Sequence, residues 1–335
     1  MLTPAQTAPI YKKASFISQW WKAVDRGIIL CVFALCFVGL VLIASSGPSV
    51  ARRIGISDGI LPAEWWFFGK YLVFLLLSIV IMLSISFLSI KTIRRIGVIL
   101  CAVSFILLLI TPIFGTEIKG ARRWILGIQP SEFMKPGFVI FCAWMMDLAK
   151  TRHEFPGMMI SLGALILTLT LFLIQPDFGQ TILLSAVWMA MLFATGAHIL
   201  WFIGLGTISS LGLIVGYYTL GHVRARVDAF LSPDAFDKFG VNYQSEIARK
   251  AFASGGFLGR GPGEGEVKQS LPDAHTDYIF AVAGEELGLI VCCFIIAIYM
   301  FIIFYAMVRV AVIHDHFSRF AVVGLVTLFG LQAFI

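Results

Sequence analysis

The chain alternates long apolar stretches with short polar breaks, and most of the stretches are far too long for strands. Runs that approach or exceed the roughly 20 residues needed to cross a bilayer as helix lie at 27–46, 66–90, 96–114, 136–149 with its flanks, 157–174, 178–196, 199–219, 277–308 and 318–335. The pattern predicts about nine transmembrane helices. A membrane β-barrel would instead show segments of about ten residues alternating apolar and polar. The eighth run is long enough to tilt, or to bend near Gly284 and Gly288. Only "GAH" separates the sixth run from the seventh, which predicts a tight helical hairpin.

Composition strengthens this reading. The 335 residues are 59% hydrophobic and 13% charged, with a mean hydropathy of +0.92, well beyond the roughly 45–50% apolar content of soluble domains. No segment is both polar enough and long enough for a separate soluble core. The expected fold class is therefore all-α, a polytopic transmembrane helical bundle forming one integral membrane domain over 27–335. A cytoplasmic tail, 1–26, precedes it, and a long outer loop, 220–276, joins spans seven and eight. The first run is too long for the apolar core of a leader and is followed by "SSGPSV" rather than a cleavage site, so it is expected to stay as the first span. Cys31, Cys36, Cys101, Cys142, Cys292 and Cys293 all fall in apolar runs without CxxC spacing, and read as small buried hydrophobes.

Lys and Arg in short loops set orientation. With the N-terminus inside, Lys12, Lys13, Lys22, Arg26, "KTIRR", Lys150, Arg152, Arg309 and Arg319 fall in the cytoplasm. The opposite side also collects many cations, including Arg52, Arg53, Lys119, Arg122, Arg123 and Lys135, so the count alone does not decide the orientation. The basic flank of the first span favours N-in. The outer excess then points to an anionic ligand on that face.

The outer loop exceeds the ~12 to 15 residues beyond which a connection is usually functional or disordered. "RVDAFL" and "YQSEIARKAF" can each form a short amphipathic helix, whereas "ASGGFLGRGPGEGE" cannot be regular structure. Its glycines match neither GxxxxGK[ST] nor a strand-preceded GxGxxG, so they are not a nucleotide-phosphate loop.

Two segments carry the candidate chemistry. In "EIKGARRWILGIQPSEFMKPG", 117–137, Arg122 and Arg123 offer guanidinium forks suited to phosphate oxygens, and Trp124 could stack on a sugar or sit at the headgroup level. Pro130 at a helix start and Ser131 as a cap account for part of "QPSEFMK". They do not account for Lys135, with Glu132, at the entrance to hydrocarbon. In "LPDAHTDYIFAVAGEELG", 271–288, Thr276 or Asp277 can cap a helix starting near Tyr278. Glu285 and Glu286 lie roughly 12 to 14 Å further along it. Carboxylates at that depth cost ~2.5 to 3.5 kcal/mol each, so they are expected to face the bundle interior, a wet cavity or a cation, and to mark a functional cavity. Gly284, below Asp277 on one face, would open a slot suited to a long lipid-linked substrate. His275 and Asp277 form a weak partial zinc site. A hard divalent cation such as magnesium or manganese, bridging phosphate and carboxylate, suits the oxygen donors better, and no organic cofactor is expected. "QPDFGQ", 175–180, reads as a turn with Asp177 capping the next helix. The connector with His314 and His316 reads as solvated.

Taken in order, "GARRWI…QPSEFMK", "QPDFGQ" and "ASGGFLGRGPGEGEVKQSLPDAHTDYIFAVAGEELG" resemble the SEDS family, the polytopic proteins of bacterial shape, elongation, division and sporulation. The likeness spans most of the chain and is nearer the division-type members than the elongation-type. It implies a glycosyltransferase that polymerises lipid II into peptidoglycan strands at the outer face of the bacterial cytoplasmic membrane, during division at the septum. The implied partners are lipid II, a class B penicillin-binding protein transpeptidase and other division proteins, with no nucleic acid. By motif match Asp277 is the essential acid. Arg122, Arg123, Trp124 and Lys135 fall in the family's other polar region, and Glu132, Lys268 and His275 complete the candidate substrate-binding set.

The family usually continues to a tenth span, whereas this chain stops at Ile335 within an apolar run. Asp273 stands where Glu is usual, and Lys119 where Asn is common. Two other readings are compatible with the residues: a flippase or transporter for the lipid-linked precursor, and a non-catalytic septal scaffold whose acidic residues merely cap helices.

Overall fold

The computed structural model describes residues 16–334, apart from 56–61, 119–120, 153, 272–273 and most of 220–242. A short helix, α1 (Phe16–Ala23), precedes α2 (Arg26–Ile54), α3 (Trp66–Ser86), α4 (Ile90–Phe114), α5 (Pro130–Thr151), α6 (Gly157–Ile174), α7 (Phe178–Ala194) and α8 (Ile199–Thr219). The outer loop contains α9 (Tyr243–Gly255), and α10 (Ile279–Val310) and α11 (His316–Phe334) complete the bundle. Long helices occupy all nine predicted runs. Seven of them are long and apolar enough to cross a membrane by length and composition. Of the other two, α7 has only 17 residues, and α5 carries Glu132, Lys135, Asp147 and Lys150. The chain is a multi-pass helical membrane protein.

Small residues set how closely the helices approach, as expected where lipid removes the hydrophobic drive between them. A Cβ on Gly137 of α5 would lie 2.7 Å from the Cys101 backbone nitrogen of α4, and one on Gly97 would lie 2.4 Å from Ile140. This contact puts α5 at the centre of the main core, where Phe138, Cys142 and Met146 meet Leu184, Trp188 and Met191 of α7 and Phe320 of α11. By contrast α3 buries no side chain and offers its apolar surface to acyl chains. Cys101, Cys142 and Cys292 are buried as expected, but Cys293 is exposed, because it lies on the outward side of α10; all six cysteines are free thiols.

A second region joins α2, α9, α10 and the outer loop through Val50, Ile247, Ala251, Leu271, Ala274 and Val282. Here α2 runs on as helix through "SSGPSV", two turns past the predicted end. The hydroxyls explain it: Ser46 Oγ donates to Leu42 O at 2.8 Å and Ser49 Oγ to Ser46 O at 2.8 Å, so neither is left unpaired. At the opposite end Asp25 caps α2, accepting from the Gly27 amide at 3.0 Å, and also accepts from the Tyr305 hydroxyl at 2.6 Å. The Tyr305 hydrogen bond is the main cause that holds the Asp25 carboxyl below its ordinary range. It ties the start of α2 to the last turns of α10.

A short turn with Gly196 in the left-handed region (φ +71°) joins α7 to α8 as expected, but among the described residues the two helices meet only near it, where the Phe193 and Phe202 rings lie 6.0 Å apart, and do not pack along their length. "YQSEIARKAF" becomes α9, while the "RVDAFL" helix expected at 226–231 falls largely outside the described residues. The connector 311–315 leaves His314 and His316 exposed as expected. Asp315 caps α11 through the Ser318 amide (2.9 Å) and hydroxyl (2.5 Å), which hold its carboxyl below the usual range.

The bend expected in the eighth run is a true interruption. Gly288 has φ +78° and ψ 178° inside α10, a conformation open essentially to glycine. An unbroken helix would bond the amides of Leu289 and Ile290 to the carbonyls of Glu285 and Glu286. The interruption frees all four groups, and the glycine-rich loop takes up each one. Arg260 N donates to Glu285 O (3.0 Å) and Gly261 N to Glu286 O (3.0 Å), while Leu289 N donates to Gly256 O (3.0 Å) and Ile290 N to Phe257 O (3.3 Å). The backbones can approach this closely only because side chains are missing. A Cβ on Gly288 would lie 2.3 Å from Gly259 N, and one on Gly255 would lie 2.0 Å from Gly284 O. At Gly284, where the sequence predicts a slot, an open apolar cavity of about 240 Å³ is lined by Phe252, Ala253, Gly256, Phe257, Gly284 and Leu289, and a Cβ on Gly284 would meet the Phe252 ring at 2.2 Å.

Gly288→Ala is therefore expected to destabilise the protein by about 1–3 kcal/mol from backbone strain alone, read as a lower thermal unfolding temperature in lipid nanodiscs. Gly163→Ala, with open space around its Cβ position, should change stability by no more than about 1 kcal/mol. Equal effects from the two substitutions would contradict the assignment of Gly288.

Candidate functional site

The connection 311–315 is short, so α10 and α11 run antiparallel. Gln332, near the far end of α11, reaches Glu132 in the first turn of α5. The start of α5, the end of α11 and the start of α10 therefore share one end of the bundle, and every candidate residue lies there.

Residues 116–128 are not an irregular loop. Strands β1 (Thr116–Ile118) and β2 (Ala121–Trp124) pair antiparallel, with Glu117 opposite Arg122. Neighbouring strand residues point to opposite sides, so Arg122 and Arg123 do not act as one fork. Arg122 stays exposed, its Nε 3.5 Å from Glu117. An open pair of this kind is weak and leaves the guanidinium available. Arg123 turns inward onto 175–177: Nε donates to Gln175 O (3.1 Å), Nη2 to Pro176 O (2.6 Å), and Nη1 lies 3.8 Å from Asp177 Oδ2. The guanidinium thus holds the "QPDFGQ" turn. The same contact corrects Asp177, which stands at the start of α7 but makes no side-chain capping bond. Trp124 is half-buried at the end of β2. Lys119 lies outside the described residues.

Pro130 begins α5 as expected, but Gln129 takes the capping position and Ser131 is buried one residue inside the helix. Lys135 is 1% exposed, with Nζ 2.7 Å from Glu132 Oε2. The approach lies off the ammonium's hydrogen-bonding directions, so this ion pair leaves its donors unspent. Glu132 also accepts from Gln180 Nε2 and Gln332 Nε2, each at 3.4 Å.

In the second segment the carboxylates separate into two kinds. Glu285 is wholly buried and accepts from the amides of Val267 (2.7 Å) and Lys268 (2.8 Å). Glu286, 1% exposed, is ion-paired with Lys268 and accepts from the Ser45 hydroxyl. Lys268 is 3% exposed and also donates to Gly263 O (3.1 Å) and to Ser45 O (3.3 Å). The expected interior position and cationic partner are both found, and the cavity at Gly284 lies on the same helix segment. The two glutamates fasten the glycine-rich loop to α10 and α2. Lys268 is a buried strut between the loop, α2 and α10.

Asp277 is the other kind. The first turn of α10 has Tyr278 in the capping position with no side-chain capping bond, so neither Thr276 nor Asp277 serves as its cap. The Asp277 carboxylate is exposed, and it makes no hydrogen bond or ion pair among the described residues. Around it the turn is pinned. Leu271 and Ala274 are fully buried, Arg53 Nη1 donates to Leu271 O at 3.0 Å, and the His275 ring packs 4.3 Å from that of Phe67. Asp273 lies outside the described residues. No group of three or more His, Cys, Asp or Glu side chains that could hold a metal ion occurs among the described residues.

Sequence reasoning missed Ser45, Gln180 and Gln332, each a polar residue at the edge of an apolar run. Their positions carried a signal only in the third dimension, where Ser45 meets the buried Lys268 and Glu286, and Gln180 and Gln332 meet Glu132, the partner of the buried Lys135.

A bundle of this form, with an exposed acid on a pinned turn and polar side chains gathered at the same end, is that of a polytopic membrane protein. The cell cycle protein family of FtsW, RodA and SpoVE matches residues 25–335, and the chain belongs to that family. It is 36% identical over 323 residues to a Caulobacter vibrioides protein named probable peptidoglycan glycosyltransferase FtsW, covering 95% of this chain and 80% of the relative. A protein of the same name from Trichlorobacter lovleyi is 34% identical, with 92% and 82% covered. Among solved structures, a chain of a peptidoglycan synthase complex that coordinates polymerization and crosslinking superposes with a TM-score of 0.72 at 21% identity, covering 94% of this chain and 85% of that one. The rod shape determining protein RodA of Thermus thermophilus superposes at 0.61 with 20% identity, covering 94% and 84%.

If the Lys268–Glu286 pair is a strut, Lys268→Met should cost about 3–5 kcal/mol by stranding a buried carboxylate. Lys268→Met/Glu286→Gln should recover part of that loss. Thermal unfolding of the two single variants and the double variant completes the cycle, and strictly additive losses would contradict the pairing.

Proposed function

We propose that the protein is a peptidoglycan glycosyltransferase that polymerises lipid II at the outer face of the bacterial cytoplasmic membrane, with Asp277 as its general base. The single observation that carries the assignment is the division of labour among the carboxylates of 271–288. Glu285 and Glu286 are consumed by structure. Asp277, on a pinned turn, makes no hydrogen bond or ion pair among the described residues and is exposed. Family membership and the names of the relatives support the same reading. The scaffold alternative requires the acid to be a helix cap, which Asp277 is not.

In the proposed step Asp277 takes the proton of the acceptor sugar's 4-hydroxyl as that oxygen attacks the donor's anomeric carbon. The bond from that carbon to the diphosphate oxygen breaks with inversion, and the polyprenyl diphosphate leaves as an anion. A diphosphate needs little protonation to depart, so one carboxylate suffices, unlike the two of glycoside hydrolysis. Arg122 and Lys135 are the cations assigned to the developing phosphate charge, where fixed charges give the larger share of catalysis. Trp124 and His275 flank the sugar path. The transpeptidase expected to cross-link the product is the proposed partner, and the septum the proposed place of action.

Asp277→Asn should lower lipid II polymerisation by at least the roughly 10²-fold that a positioned base supplies, with thermal stability unchanged because the carboxylate makes no hydrogen bond or ion pair among the described residues. The check is a glycan product ladder from purified protein in nanodiscs, with the cognate transpeptidase present. A full ladder from the variant would overturn the role of Asp277.

A further inference from the structure

The first turn of α5 contains more polar capacity than its own contacts use. Ser131 Oγ, Lys135 Nζ and Gln180 Oε1 are buried and without hydrogen-bond partners among the described residues, although Lys135 is ion-paired with Glu132. They belong to one cluster. Ser131 and Lys135 are four residues apart on the same face of α5, and the Gln180 amide nitrogen reaches the Glu132 carboxylate that Lys135 touches. A buried polar group without a partner costs about 1–3 kcal/mol. Three in one place, with Ser131 at 3% and Lys135 at 1% exposure, are more than packing explains.

We propose that Ser131, Lys135 and Gln180 form a polar subsite, with Gln332 as a positioning residue acting through Glu132. The donors available are an ammonium and a hydroxyl, and the acceptor is one amide oxygen. That combination fits a ligand group presenting an anionic oxygen beside an N–H or O–H, the arrangement at the phosphate-bearing carbon of an N-acylated amino sugar. Lys135 and Ser131 meet the phosphate oxygens, and Gln180 accepts from the neighbouring amide or hydroxyl.

Glu132 keeps the ammonium from standing as an unpaired buried charge. Its own orientation comes from two amides, Gln180 of α7 and Gln332 of α11, which approach different carboxylate oxygens at 3.4 Å. Both bonds are long, as is common where ligand binding completes the geometry. The inference rests on the glycosyltransferase reading for the identity of the ligand, and it adds three residues that the motif comparison did not assign.

The test is lipid II binding to the protein in nanodiscs, measured in the Asp277→Asn background so that nothing is turned over, with undecaprenyl phosphate as the second probe. Ser131→Ala should weaken lipid II and undecaprenyl phosphate alike, about tenfold, because both present phosphate oxygens, whereas Gln332→Leu should weaken lipid II about tenfold and undecaprenyl phosphate, which lacks the amino sugar, by less. Without the Asp277 substitution, Gln332→Leu should raise KM with a smaller change in kcat, and Gln332→Asn should restore part of the loss. Unaltered lipid II affinity in both Ser131→Ala and Gln332→Leu, with thermal stability retained, would overturn the subsite. Failure of the glycosyltransferase reading looks different: lipid II bound as described, and no polymer from the unsubstituted protein with its partner.

Discussion

An interrupted helix inside a membrane protein must find partners for every backbone group it releases, because lipid supplies none. At Gly288 those partners are the amides and carbonyls of the glycine-rich outer loop, paired one for one with the groups that α10 gives up. The position of the outer loop, and with it the turn that presents Asp277, depends on this exchange. The glycines at 255, 259, 284 and 288 have a common physical reason, which is that a Cβ at any of them would collide with neighbouring atoms, at three of the four with the opposing backbone. The buried charges follow from it too. Glu285 holds the amides of Val267 and Lys268, and Glu286 is neutralised by Lys268, so the loop returns its own cation to the helix that anchors it.

This division of roles gives a functional consequence. Ionised groups within a bundle are expensive, and those that stay must be matched. Glu285, Glu286 and Lys268 are matched internally and add rigidity. Among the described residues Asp277 and the donors of Lys135 are not, Arg122 has only an open pair with Glu117, and all three lie at the end of the bundle where α5, α10 and α11 converge. A rigid mount with an unpaired acid at its rim is what proton abstraction from a sugar hydroxyl needs.

Much of the fold was legible in the sequence because hydrocarbon imposes length and polarity so strictly. All nine apolar runs became long helices, the break near Gly288 was expected from its glycines, and the amphipathic helix of 243–255 from its pattern. The site was legible in part. Asp277, Glu132 and Lys135 stood out as charges at the entrance to apolar runs. What could not be read was which charges would satisfy one another: Arg123 turned to the carbonyls of 175–176, and Lys268 to Glu286, because those partners come from distant parts of the chain. The short hairpin of 116–124 escaped for a related reason, since its strands are three and four residues long and carry little alternation.

Hydrogen–deuterium exchange of the protein in nanodiscs tests the central claim most directly, at the amides of Arg260, Gly261, Leu289 and Ile290. If the loop backbone completes the interrupted helix, these four exchange as slowly as the interior of α10 and open together with it. Rapid exchange at Arg260 and Gly261 alongside a protected α10 would show that the loop is not bonded to the break, and the account of how Asp277 is held would fail.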